Sequence, residues 1–97
     1  MTVVIPGSEY LLDNLTGEGT QPIQFTRKAE GGGYTDGTTN EEVISVLIDR
    51  LLFFQSKAYS YDNETVITLL QSARRIMQAQ VRRKVNRRRH DATSKND

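Results

Sequence analysis

Thr39-Asn40-Glu41-Glu42, followed by Val43-Ile44-Ser45-Val46-Leu47-Ile48-Asp49-Arg50-Leu51-Leu52-Phe53-Phe54, decides how this chain folds. The first four residues form a capping box: the Thr39 hydroxyl accepts from the Glu42 amide while the Glu42 side chain reaches back. Glu41 and Glu42 also complement the positive end of a helix dipole. Val43, Val46, Leu47, Leu51, Phe54 and Ala58 then recur at helical spacing along one face. Ile44, Ile48, Leu52 and Phe53 carry the apolar sector further round the cylinder. A single partner helix cannot cover so wide a sector. The surplus is read as an interface between copies, the alternative being burial beneath the N-terminal segment.

Downstream, Ala58 to Asp62 is a short connection and Asn63 is a suitable N-cap for a second helix. Val66, Ile67, Leu69, Leu70, Ala73, Ile76, Met77, Val81 and Val85 follow the helical period. This predicts a helix from Glu64 into the arginines, about 25 residues and nearly 40 Å long. After His90 the chain is polar and reads as a disordered tail. Upstream, Glu9 to Leu15 reads as a strand, Thr16-Gly17-Glu18-Gly19 as a turn, and Gln21 to Lys28 as an alternating strand. Gly31-Gly32-Gly33 and Asp36-Gly37 read as a flexible connection. The expected fold is α+β but mainly α: a short N-terminal β-hairpin arm followed by a long antiparallel αα-hairpin, assembled as a homo-oligomer. The expected divisions are an arm and Gly-rich linker over 1–35, a helical hairpin domain over 36–90, and the tail over 91–97.

Composition narrows the chemistry. Ninety-seven residues make one domain at most, with a thin core for an isolated copy. Cys is absent, which excludes disulfides and thiolate catalysis. A lone His90 beside a basic tail builds no metal site. Met1 to Ile5 is too short for a leader peptide, and no apolar run approaches the roughly 20 residues that span a bilayer. A soluble, cytoplasmic protein is expected. The formal net charge of +1 hides an asymmetry, since residues 1–63 carry 4 basic and 9 acidic side chains and residues 64–97 carry 9 and 3. One end therefore attracts anions and the other repels them.

No Ser/His/Asp set, phosphate-binding Walker loop or HExxH occurs, so no catalytic residue is assigned. Gly31-Gly32-Gly33 does not lead from a strand into a helix and is read as a linker rather than a phosphate loop. The strongest chemical feature is Arg74, Arg75, Arg82, Arg83, Lys84, Arg87, Arg88 and Arg89, six of them within eight residues. A helix C-terminus favours one or two cations, not eight. Clustered guanidinium groups repel unless an anion relieves them, and they suit bidentate phosphate recognition. The acidic remainder of the chain argues against a long polyanion and for a small anionic ligand. The aromatic residues offer stacking faces for bases, although core packing is the ordinary role of each. Tyr10 and the loop tyrosines Tyr34, Tyr59 and Tyr61 stand apart because their hydroxyls want a polar partner.

Asp36-Gly37-Thr38-Thr39-Asn40-Glu41-Glu42-Val43, running on to Val46-Leu47-Ile48-Asp49-Arg50-Leu51, resembles the helical-hairpin domain of phage anti-CBASS and anti-Thoeris sponge proteins. Asn63, Val66-Ile67, Leu70, Ala73 and the basic helix end extend the likeness to about residue 89. Gln24-Phe25 followed by Arg27-Lys28 looks like the β segment before the hairpin in the anti-Thoeris branch. The resemblance implies a homo-oligomer, commonly a hexamer, in the host cytoplasm, with no enzymatic activity, cofactor or membrane partner. It implies binding and sequestering, without cleavage, of cyclic oligonucleotides or cyclic ADP-ribose derivatives. Family contacts fall at Phe53, Asn63 and Lys84, with Arg27 or Lys28 contributed from the arm. Gln80 stands where the anti-Thoeris branch usually has an Arg, and Arg82 or Arg83 is the available substitute. Arg87-Arg88-Arg89 replaces its usual Arg-Gly-Val ending. The candidate ligand-binding set is Tyr10, Arg27, Lys28, Phe53, Asn63, Arg83, Lys84 and Arg87. Two other readings compete: a small nucleic-acid-binding protein using the arginine-rich helix end, and a non-catalytic assembly protein.

Overall fold

The computed structural model describes residues 1–95. The chain is α+β and roughly half helical, with small β elements followed by two helices. It divides into two compact units, one ending at Asn40 and the other beginning at Glu41.

The first unit is more than a hairpin. Strands β1 (Thr2–Ile5), β2 (Glu9–Asp13) and β3 (Thr20–Gln24) form an antiparallel meander. Val3 and Ile23 flank Tyr10 in register, and a bulge falls between Val3 and Ile5. The β-branched run Thr2-Val3-Val4-Ile5 before Pro6-Gly7 is a strand-and-turn signal, and it supplies the third strand that a marginal hairpin needs. The β2–β3 turn is organised by Asn14, whose Nδ2 donates to the Glu18 carbonyl at 2.9 Å and whose Oδ1 accepts from Gln21 at 3.1 Å.

The expected strand over Gln21 to Lys28 is broken after Gln24. There the chain changes partner: the Thr38 amide donates to the Gln24 carbonyl at 2.8 Å and the Thr26 amide to the Thr38 carbonyl at 2.9 Å. Beyond this crossing, β4 (Arg27–Lys28) pairs with β5 (Tyr34–Thr35). Gly31-Gly32-Gly33 is therefore the closed turn of a second hairpin and not a flexible connection. The Ala29 amide bonds the Gly33 carbonyl at 3.0 Å, and all three glycines have positive φ, which a side chain would resist. Asp36-Gly37 is likewise packed, because a Cβ on Gly37 would lie 2.5 Å from the Phe25 carbonyl carbon.

In the second unit, α1 (Asn40–Lys57) begins directly after Thr39, as the capping-box reading requires. Helix α2 (Tyr61–Lys95) is 35 residues long against 18 for α1. It starts three residues before Glu64, and neither Gly nor Pro occurs after Gly37 to stop it. It also runs through most of the expected tail, while residues 96 and 97 lie outside the described residues. The three-residue connection makes the helices a hairpin, and Arg74 Nη1 of α2 donates to Ser45 Oγ of α1 at 3.0 Å. Ile48 and Ile67 are the buried apolar side chains of this unit among the described residues. Since Ser45 lies beside Arg74, Asn40 lies beside roughly residue 79. Residues 80–90 of α2 extend past α1, and every one of them is exposed. Among the described residues no helix is long and apolar enough to cross a membrane.

Gly37→Ala should lower the stability of the β unit by about 2 kcal/mol through overpacking against Phe25. Gly32→Ala, with open space around it but positive φ, should cost about 1 kcal/mol. Thermal denaturation followed by circular dichroism checks the order, and equal melting temperatures for Gly37→Ala and wild type would show the crossing to be loose.

Candidate ligand-binding site

The bend between the helices is built by Gln55. Its Nε2 donates to the Ser60 carbonyl at 3.0 Å and its Oε1 accepts from the Ser60 amide at 2.8 Å, so one carboxamide holds both backbone groups of the connection. Ser60 Oγ in turn accepts from the Asn63 amide at 3.3 Å. Ser60, not Asn63, is therefore the N-cap of α2, and Asn63 sits at the third helical position. The carboxamide of Asn63 has no hydrogen bond among the described residues, and its residue is half-buried.

Phe53 projects from α1 near the same bend and is 57% exposed. Its ring meets Phe54 edge-on at 5.3 Å, and Lys57 Nζ stands 5.4 Å from its centroid. Arg50 sits in the same way over Phe54 at 5.0 Å. Tyr59 and Tyr61 form a second exposed edge-to-face pair at 5.2 Å. The bend thus combines flat apolar faces, two cations and an unengaged carboxamide, groups that recognise a base and its phosphate. Sequence reasoning missed Lys57, although its i+4 spacing from Phe53 signals it.

Arg83, Lys84 and Arg87 lie at the other end of α2 and are exposed. Lys84 is 21 residues beyond Asn63, a separation of about 30 Å at the helical rise. One copy therefore does not bring the bend and the basic end together. Successive residues are about 100° apart, so Arg82, Arg83 and Lys84 surround the helix rather than sharing a face. Arg82, Arg83, Lys84, Arg87 and Arg88 have no acidic partner among the described residues.

In the β unit, Tyr10 is committed to the fold: its hydroxyl accepts from the Gly7 amide at 2.9 Å and its ring meets Phe25 edge-on at 6.0 Å. Arg27 and Lys28 are exposed on β4 and line a recess of about 270 Å³ with Ala29, Glu30 and Thr35. Among the described residues no cluster of His, Cys, Asp or Glu is placed to hold a metal ion. Compared with known proteins, the chain matches no family model and no curated protein sequence.

Ser60→Ala should destabilise α2 by about 1 kcal/mol, as loss of a cap does. Asn63→Ala should leave stability almost unchanged. Parallel thermal melts decide between the two residues, and a larger loss for Asn63→Ala would return the cap to that position.

Proposed function

We propose that this protein is a phage-encoded, non-catalytic sponge that assembles with copies of itself in the host cytoplasm. It sequesters cyclic oligonucleotide or cyclic ADP-ribose-type immune messengers intact. The observation that carries the reading is the basic end of α2, where five exposed cations lack an acidic partner among the described residues. Like charges three and four residues apart destabilise a helix by about 0.2–0.5 kcal/mol per pair. A bound phosphate removes that repulsion and gains charge-assisted hydrogen bonds.

Self-association supplies what one copy lacks. Val66, Leu69, Ala73 and Ile76 continue into Gln80, Arg83 and Arg87 at alternating steps of three and four. This is the seam spacing of packed helices, and Leu69 and Ile76 are 64% and 60% exposed. A second copy of α2 laid antiparallel along the stripe sets Asp62 opposite Arg87 at both ends. That register brings the basic end of one copy to the bend of the other. Phe53 and Asn63 then supply stacking and a carboxamide, while Arg83, Lys84 and Arg87 of the other copy supply phosphate contacts. Within the β unit, Arg27 and Lys28 are assigned phosphate contacts at the recess they line, and Tyr10 keeps one free hydroxyl donor. Enclosure favours slow release, which sequestration requires more than turnover.

Polymeric nucleic acid is the second reading, favoured by the spread of cations right round α2. Its affinity falls steeply with salt through counterion release, whereas that of an enclosed small ligand falls little.

The decisive experiment is release. Purified protein is incubated with cyclic di- and trinucleotides and cyclic ADP-ribose isomers, filtered, then denatured, and the released compound is identified by mass. Intact ligand recovered on denaturation is expected, an altered product would reveal catalysis, and no depletion would sink the sponge. Phe53→Ala and Lys84→Ala should each weaken binding at least about tenfold, or roughly 1.4 kcal/mol. Mixing the two variants should restore part of it, since mixed assemblies contain intact sites. No recovery in mixtures shown to exchange copies would rule out a site shared in this way.

A further inference from the structure

The α1-facing stripe of α2 runs Ile67, Leu70, Arg74, Met77 and Val81 at steps of three and four. A guanidinium therefore occupies a position that its neighbours reserve for apolar side chains. Arg74 is half-buried, and its only partner among the described residues is neutral, the Ser45 hydroxyl at 3.0 Å. That hydroxyl spends its own proton on the Glu41 carbonyl at 2.9 Å, so it is a pure acceptor for Arg74. Beside it, Arg75 Nη2 donates to Ser72 Oγ at 3.4 Å, again a neutral group. Gln71, Arg74, Arg75 and Gln78 together line a cleft of about 310 Å³. Their spacing of i, i+3, i+4 and i+7 makes one continuous stripe, and neither glutamine has a hydrogen bond among the described residues. Each guanidinium carries five N–H donors, so most donors in this cleft have no acceptor among the described residues.

A partly desolvated cation facing only hydroxyls is costly, and a second one alongside adds repulsion. Two guanidinium forks flanked by two carboxamides match a tetrahedral oxyanion, which takes bidentate bonds from arginine. We propose that Gln71, Arg74, Arg75 and Gln78 form a binding site for the phosphoryl group of a small molecule. It is distinct from the bend and the basic end, since Arg74 lies 11 residues from Asn63 and 9 from Arg83, about 16 and 13 Å along the axis. The cleft volume is at the small end of ligand pockets, fitting a phosphate with a modest attached group.

The test is a phosphorus NMR titration of inorganic phosphate against the full chain, with ionic strength held constant by sodium chloride. A saturable shift is expected for wild type and for Thr68→Ala, an exposed position on the same helix. Arg74→Gln and Arg75→Gln should each weaken it at least about tenfold. Arg75 is exposed and outside the helix–helix stripe, so Arg75→Gln keeps the test valid if Arg74→Gln perturbs folding. Absence of saturation, or equal binding by Arg75→Gln, overturns the site. So does a change of oligomeric state in Arg75→Gln without any phosphate effect, which would assign the arginines to a carboxylate of another copy. The site stands apart from the sponge reading: phosphate binding retained in Phe53→Ala, with no cyclic nucleotide held, would keep this inference and remove the other.

Discussion

Helix α2 is nearly twice as long as α1, and everything else in the helical unit follows from that mismatch. Over the first half of α2 the two helices share a narrow seam in which only Ile48 and Ile67 are buried among the described residues. Each buried isoleucine contributes about 1.5–3 kcal/mol. Past α1, Val81 and Val85 continue the inward-facing stripe with nothing from α1 to face, at 51% and 40% exposure. The outward stripe of the hairpin is apolar as well, from Val46 and Phe53 on α1 to Leu69 and Ile76 on α2. A helix apolar on two sides has one of those sides left over in a lone hairpin.

The charge pattern complements the same mismatch. Acids gather at the helix starts, Glu41 and Glu42 on α1 and Asp62 and Glu64 on α2, while the cations gather on the part of α2 that runs past the start of α1. Asp62 and Glu64 thus sit at one end of the long α2 rod and the cations toward the other, an arrangement that disfavours parallel stacking of copies and favours antiparallel stacking. Asp62 and Glu64 lie roughly 30 Å from the arginine cluster along α2, too far to neutralise it.

Much of this was legible from the residues. Thr39 to Glu42 marked the start of α1, and the helical period from Val66 to Val85 marked α2. What escaped was set by tertiary pairing. The β1 strand lies in a four-residue run too short to carry a periodic signal, and Gly31-Gly32-Gly33 is as compatible with a linker as with a hairpin turn. The end of Gln21–Lys28 as one strand depends on Gly37, distant in sequence, arriving beside Phe25. Asn63 carries a cap signal because Asn favours that role. The choice fell to Ser60 because Gln55 fixes the connection one turn earlier. Among the candidate site residues, Asn63 and Lys84 both lie on α2, but their separation of about 30 Å along it is a geometric fact that a residue list hides.

The Gln55 clamp has a consequence for how the protein can be observed. The chain contains no tryptophan and four tyrosines, so its ultraviolet emission is that of tyrosine alone. Two of the four, Tyr59 and Tyr61, stand in contact on a bend that a single carboxamide holds in place. Half the fluorophores therefore report from the tip of the hairpin, exposed and in a fixed mutual orientation. A purine stacking at that end, or a neighbouring copy covering it, changes their emission and anisotropy. The protein carries its own optical probe at the place where its two helices meet.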